Sequence, residues 1–318
     1  MINPYYETEN GKLYNCDCLE LLKQLPDESV DCCITSPPYF GLRDYGHKDQ
    51  IGLENNPEEY IEKLVLVFRE LRRVLKISGS LWLNLGDSYA RSGKGGNRPE
   101  MRQHHSAGLR KPLPNGLKPK DICGIPWAVA FALRADGWYL RSDIIWNKLN
   151  PMPESVKDRP TRAHEYIFFM TKSKKYFYDY ESVLEPCIDS SVARLSQDVE
   201  NQIGSTRAHG GMKSNGNIKA TCTKLSDKKT YGGGGSGFAG HSGNKKADGT
   251  VYLMRNLRSV WNVTTHGFKD AHFATFPEKL IMPAIKAGCP KHGIVIDPFG
   301  GSGTSAVVAE KENRGWIL

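Results

Sequence analysis

The chain has 318 residues, 39% hydrophobic and 25% charged, which is the balance of an ordinary soluble globular protein and excludes a disordered or fibrous one. No window approaches the roughly 20 apolar residues of a membrane span, and Met1-Ile-Asn-Pro-Tyr-Tyr-Glu7 lacks the basic-then-apolar order of a secretory signal, so a cytoplasmic protein with no membrane partner is expected. The net charge of +8 favours a polyanionic partner, and eight dispersed cysteines read as reduced thiols, with no zinc-type spacing and no metal expected.

Taken in chain order, Leu13–Asp17 reads as a short strand ending in an acid, and Cys18–Leu25 as a helix closed by Pro26. The apolar run from Val30 to Ile34 is a buried strand that stops at Pro37-Pro38. Pro57 to Ile77 carries apolar residues at helical spacing, with Pro57 in the first turn and Gly79 just past the end. Ser80–Leu85 is the next strand, Pro126–Ala135 a helix, and Tyr139–Lys148 and Ala163–Thr171 two more strands. A helix begins near Pro277, Gly293–Asp297 is a buried strand, Thr304–Lys311 a helix, and Gly315–Leu318 opens one more strand. Strands alternating with helices predict an α/β protein with a mostly parallel, doubly wound sheet.

Two basic segments interrupt this pattern. One runs from Arg91 to Lys120 and holds a single acid, Glu100; the other is Gly/Ser-rich and runs from about Ser190 to Arg258. Structureless basic segments of this size are best explained as loops that order against phosphates.

Two corners carry chemistry. Thr35-Ser36-Pro37-Pro38-Tyr39 lies at the carboxyl end of a strand, where open α/β sheets put their ligands. It offers a hydroxyl, carbonyls without competing N–H donors, and an aromatic face, a set suited to an aromatic amine. Asp297-Pro298-Phe299-Gly300-Gly301-Ser302-Gly303-Thr304 is a strand end, a glycine-rich turn and a helix start. It is no P-loop, because no Gly-Lys-Ser/Thr closes it. An acid and a ring at the strand tip suit a cationic cofactor bearing an amino acid.

The second corner resembles the S-adenosylmethionine motif of DNA amino-methyltransferases, and the first resembles their catalytic motif. The catalytic motif precedes the cofactor motif, the order of the β class of these enzymes. Asn15-Cys16-Asp17 resembles the acidic strand end that contacts the cofactor's adenine, and His272–Leu280, including Thr275, Phe276 and Pro277, resembles the helix that contacts its methionine part. The resemblance implies a circularly permuted Rossmann-like methyltransferase fold, with a mixed seven-stranded sheet and helices on both faces. It divides the chain into a catalytic part (1–185), a basic, loop-rich target-recognition insert (186–260) and a cofactor-binding part (261–318). The cofactor implied is S-adenosyl-L-methionine, bound by Asp17, Thr275, Phe276, Pro277, Asp297, Pro298, Phe299, Gly301, Gly303 and Thr304. The family usually carries a ribose-binding acid at the end of the strand that begins here at Gly315; the sequence stops at Leu318, which implies either a longer polypeptide or weak cofactor binding.

By the same resemblance Ser36, Pro37, Pro38 and Tyr39 are catalytic. Ser36 Oγ and the Pro37 carbonyl would accept the hydrogens of the target amine, and Tyr39 would stack on a base flipped out of duplex DNA. Serine at position 36 goes in this family mainly with cytosine N4, and aspartate mainly with adenine N6. Both acceptors stay open, as do the same chemistry on RNA or a protein amide and a DNA-binding protein whose catalytic function has decayed. Duplex DNA is the expected partner, with a homodimer and a cognate restriction endonuclease as family associations, in a prokaryotic or phage setting. Cytosine C5 chemistry would need a cysteine nucleophile, and the one Pro-Cys pair, Pro186-Cys187, is far from any suitable strand end.

Overall fold

The computed structural model describes residues 2–47, 49–90, 116–187, 254–265 and 276–318. Contacts divide the chain into two compact units, Met1–Ser182 with Arg258–Leu318, and Val183–Leu257.

The first unit is built on a nine-stranded sheet. Its strands are β1 (Tyr6–Glu7), β2 (Gly11–Leu13), β3 (Val30–Thr35), β4 (Leu75–Leu85), β5 (Tyr139–Asn147), β6 (His164–Thr171), β9 (Val260–Asn262), β10 (Ile294–Ile296) and β11 (Gly315–Ile317), in the order β1-β2-β11-β10-β3-β4-β6-β5-β9. From β2 to β4 neighbours run parallel; β6 is antiparallel to both β4 and β5. The expected seven strands are the central seven. Two short edge strands extend them: β1 folds back antiparallel on β2, and β9 pairs parallel with β5. Strands of two and three residues leave no periodic trace in a sequence.

The helices are α1 (Cys18–Gln24), α2 (Pro57–Val74), α3 (Ile125–Ala135), α4 (Glu278–Gly288) and α5 (Thr304–Lys311). Asn56 caps α2 by accepting from the Glu59 amide, Pro57 opens it, and acids in the first turn with arginines in the last match the helix dipole. Its Tyr60, Leu64, Phe68 and Leu71 pack on Leu81, Leu83 and Leu85 of β4, with α3 residues Val129 and Leu133 in the same cluster. Ser80 and Trp82 alternate to the other face, where Gly288 of α4 meets them. So β4 is buried on both faces from Gly79 to Leu85, the stretch that carries the apolar Leu81-Trp82-Leu83. Each fully buried Leu or Phe contributes on the order of 2 kcal/mol.

Two boundaries differ from expectation. The first expected strand lies at Gly11–Leu13, not Leu13–Asp17, whose last residue caps α1 instead. The long helix ends at Val74, not Ile77, and β4 begins at once with Leu75 pairing Val30. Gly79 is no helix terminator but a strand residue, where a Cβ would come within 2.9 Å of the Lys76 carbonyl oxygen. Close backbone approach, rather than turn geometry, accounts for that glycine.

The second unit, in its described residues, holds a two-stranded antiparallel pair, β7 (Glu185–Pro186) and β8 (Met254–Arg255), with Arg255 paired to Glu185. Residues 91–115 and 188–253, the greater part of both basic segments, lie outside the described residues.

Candidate active site

The chain leaves β3 for β4 on one side and β10 for β11 on the other, while β3 and β10 pair with each other, Cys33 opposite Ile296. That is a topological switch point, the place where such sheets open a crevice at their carboxyl edge. Ser36 follows the last residue of β3, and Asp297 follows the last residue of β10. The two corners singled out by sequence therefore leave neighbouring strands at the same edge.

A buried hydrogen bond joins them: Thr35 Oγ1 donates to Asp297 Oδ1 at 2.6 Å. The same Oδ1 accepts from the Phe299 amide at 3.0 Å, and Oδ2 accepts from Ser305 Oγ at 2.6 Å. Asp297 is 1% exposed. Its carboxylate is thus turned into the protein, where it ties β3, the glycine turn and α5 together. The expected position at an open strand tip is replaced by this inward one. Burial raises the Asp297 carboxyl above its ordinary range, against the pull of the three hydrogen bonds.

In the glycine turn, Gly301 and Gly303 have φ of +50° and +77°, conformations that side chains resist. A Cβ on Gly301 would meet nothing closer than 3.7 Å, so the backbone there is bare on its outer side. Gly303 precedes α5 and gives it no side-chain cap. Pro298, Phe299 and Thr304 are half-buried, and Ser302 and Thr304 hydroxyls lie 3.1 Å apart.

The other expected cofactor residues are spread along the same region. Asp17 is exposed after β2 and caps α1, its Oδ1 accepting from the Leu19 and Glu20 amides. Pro277 is buried at the start of α4. Phe276 is half-buried and shares a small apolar cavity with Thr35, Asn84 and Leu280. Thr275 lies outside the described residues.

In the proline corner Pro37 is buried and Pro38 half-buried. The Pro38 carbonyl accepts from the buried Tyr60 hydroxyl at 2.9 Å, which pins the corner to α2. Ser36 Oγ donates to Tyr39 Oη at 3.3 Å, and Tyr39 Oη donates to Glu165 Oε2 at 2.7 Å. Burial and the Glu165 carboxylate push the Tyr39 phenol well above its usual range, so it is a hydroxyl and not a phenolate. The Tyr39 ring lies on Gly86, where a Cβ would fall 2.5 Å from its Cε2.

Glu165, Lys148 and Asn84 complete the site, and sequence reasoning missed them. The Lys148 ammonium bonds Glu165 Oε1, and Asn84 Nδ2 donates to Oε2 at 3.1 Å. Asn84 carried a signal: it is a polar side chain inside the apolar run Leu81–Leu85, and a buried amide needs partners. Asp87, at the end of the same stretch, is spent on structure, accepting from the Gly124 and Ile125 amides at the start of α3.

Among the described residues, the two cysteines of β3 offer no nucleophile. Cys32 and Cys33 of β3 are buried; burial pushes the Cys32 thiol up to about 12 and the Cys33 thiol well above its ordinary value. Cys187 belongs to the second unit.

A family model described as DNA methylase, covering N6 and N4 methyltransferases, matches residues 30–318. The chain is 42% identical over 312 residues to the type II methyltransferase M.Cfr9I of Citrobacter freundii, covering 98% of this chain and 83% of that one. Against M.SmaI of Serratia marcescens it is 42% identical over 299 residues, covering 94% and 82%. Among solved structures, the PvuII DNA methyltransferase, described as cytosine-N4-specific, matches with a TM-score of 0.59 at 19% identity, covering 99% of this chain and 83% of that one. A Thermus thermophilus protein solved with S-adenosyl-L-methionine matches with a TM-score of 0.52 at 18% identity, covering 96% and 86%. These two structures share the fold of this chain. With a family model spanning nearly the whole chain and relatives above 40% identity along their common length, the chain belongs to the N6/N4 DNA methylase family.

Proposed function

We propose that the chain is a site-specific DNA methyltransferase that moves a methyl group from S-adenosyl-L-methionine to the N4 amine of a cytosine flipped out of duplex DNA. The observation that carries this reading is the Thr35–Asp297 hydrogen bond, which fastens the Ser36 corner to the glycine turn of residues 299–303.

The residues at the glycine turn fit the cofactor. Bare backbone at Gly301, positive φ at Gly301 and Gly303, and an α5 start without a side-chain cap suit close approach of an amino-acid carboxylate. Phe299, Pro298, Thr304, Phe276 and Pro277 would border the same ligand, with Asp17 at its adenine end. Asp297 would serve it indirectly, by holding the turn. Once bound, the cofactor supplies an electrophilic methyl group on a sulfonium.

The chain's own residues then position the amine. An exocyclic amine is a weak nucleophile because its lone pair is delocalised into the ring. Ser36 Oγ and the Pro37 carbonyl accept its hydrogens, which favours pyramidal nitrogen and aims the lone pair. This is orientation and fixed electrostatics, without a covalent intermediate. Tyr39 presents its ring to the base, and the stacking offsets part of the few kcal/mol that unstacking costs. Ser36, and the likeness along 99% of the chain to a protein named cytosine-N4-specific, favour N4 of cytosine over N6 of adenine. The basic insert at 186–260 is the segment proposed to read the target sequence.

The test is to express the chain in a host free of endogenous methylation and to sequence its DNA with detection that separates the two modified bases. N4-methylcytosine at one recurring motif is the expected result. N6-methyladenine at a motif would overturn the choice of acceptor. DNA binding without methylation would overturn the enzyme.

A further inference from the structure

We infer that Glu165 is a positioning residue for methyl transfer, setting the direction of a hydrogen-bond chain so that Ser36 meets the substrate amine as an acceptor. The inference rests on the proposed role of Ser36.

Every described neighbour of the Glu165 carboxylate donates to it: Tyr39 Oη at 2.7 Å and Asn84 Nδ2 at 3.1 Å on Oε2, and the Lys148 ammonium on Oε1. A carboxylate has no hydrogen to give, so the single hydroxyl hydrogen of Tyr39 points at Glu165. The Tyr39 oxygen is then an acceptor, and Ser36 Oγ, 3.3 Å away, gives it its own single hydrogen. Both hydrogens are committed in one direction. The Ser36 lone pairs are what is left to face a ligand, and an amine with two N–H bonds needs acceptors. Without Glu165 a serine hydroxyl is free to turn its hydrogen toward the amine, where donor would meet donor.

The sheet holds this arrangement rigidly. Glu165 lies opposite Trp146 in the β5–β6 pairing, and Tyr166 opposite Leu85 in the β4–β6 pairing. Asn84 also donates to the Tyr166 carbonyl at 3.2 Å. The Lys148 ammonium sits 4.6 Å from the centre of the Trp146 ring. Lys148 can only donate, so whatever replaces Glu165 must turn its acceptor toward Lys148. In Glu165→Gln the charged Lys148 donor holds the amide oxygen, which leaves the NH2 facing both Tyr39 and the Asn84 amide, and Asn84, tied also to the Tyr166 carbonyl, has to give way. Tyr39 then accepts from Gln and donates to Ser36, and the chain runs backwards.

The experiment measures kcat and KM on the full chain, with S-adenosyl-L-methionine and duplex DNA carrying the target site, for wild type, E165Q, Y39F and Y39F/E165Q. E165Q is expected to lose about tenfold or more in kcat, with KM for both substrates within about twofold. Y39F removes the link and is expected to lose several-fold in kcat, again with KM held. In the Y39F background E165Q should add nothing, because the two act through one chain. A kcat of E165Q or Y39F equal to wild type overturns the inference. So does a loss confined to KM, or an E165Q loss of the same size with and without Tyr39 Oη. Wild type that transfers no methyl group overturns the proposed function and this inference with it; an active wild type beside an unaffected E165Q overturns this inference alone.

Discussion

Thr35 and Asp297 are 262 positions apart, and the Thr35 hydroxyl donates to the Asp297 carboxylate at 2.6 Å in a site closed to solvent. The bond spans the two ends of a permuted chain: on one side the residue before Ser36, on the other the residue that opens the glycine turn. It makes the spacing between the proposed amine acceptor and the proposed cofactor turn a property of the core. Thr35→Val keeps the shape and leaves the carboxylate short of one donor. A loss of about 1–3 kcal/mol is expected, because a buried hydrogen bond is broken and its acceptor stranded. Thr35→Ser should restore most of it. Urea unfolding of the three proteins checks this; equal midpoints for wild type and T35V would show that the bond carries no weight.

The same carboxylate predicts a pH dependence. Burial raises its pKa in the folded protein above the ordinary 3.8, so the folded state binds the proton more tightly than the unfolded chain. The stability it contributes is therefore complete below 3.8 and is lost as pH rises through the raised value. Asp297→Asn removes the titration and keeps an acceptor for Thr35. The stability of D297N minus that of wild type should grow as pH increases from about 3.8, then level off. Urea unfolding of both from about pH 4 to 7 measures the difference, which also cancels the other carboxylates. A difference independent of pH would mean Asp297 titrates alike in both states.

Much of this is legible in the chain, because strand ends are punctuated locally. Val30–Ile34 and Gly293–Ile296 are short, largely apolar runs with a proline three or two residues beyond, Pro37 and Pro298, and such punctuation marks strand ends whatever the tertiary setting. What the runs do not carry is register. The pairing of Cys33 with Ile296 decides that Asp297 turns inward to Thr35, and no residue near Asp297 announces it. Glu165 is the same case: it lies in β6, 126 residues from Tyr39, and only the pairing of β6 between β4 and β5 brings it to the site. Gly79 reads as a helix terminator because glycine after a helix and glycine inside a crowded strand look alike in one dimension.

Two glycines in or beside β4 separate structure from function. A Cβ on Gly79 would strike backbone, at 2.9 Å from the Lys76 carbonyl oxygen, at the end of β4 away from Thr35. Gly79→Ala should cost about 1–3 kcal/mol of stability and leave the turnover of the folded protein unchanged. A Cβ on Gly86 would strike the Tyr39 ring at 2.5 Å from Cε2, a side chain that can move. Gly86→Ala should therefore cost little stability but draw Tyr39 away from Glu165 and Ser36, lowering kcat by about tenfold if the hydroxyl chain matters as proposed. Unfolding curves and kcat for both variants decide. The reverse pattern, or a G86A enzyme as active as wild type, would remove Tyr39 from the catalytic arrangement.

Ser36 itself gives the most direct comparison. Ser36→Ala deletes the proposed amine acceptor and leaves the glycine turn intact, since Thr35 makes the tie to Asp297 and Ser36 does not. Binding of S-adenosyl-L-methionine should stay within about twofold, while methyl transfer falls about 10²–10³-fold, the range for removing one preorganised polar partner of the reacting group. Ser36→Cys should recover little, because sulfur is a weak acceptor. Cys187→Ser should be fully active, because accepting hydrogens from an amine uses no thiol nucleophile. Calorimetric cofactor titration together with single-turnover transfer measures all three. An S36A protein that transfers methyl groups at the wild-type rate, or a C187S protein that does not transfer them at all, would move the chemistry away from the proline corner.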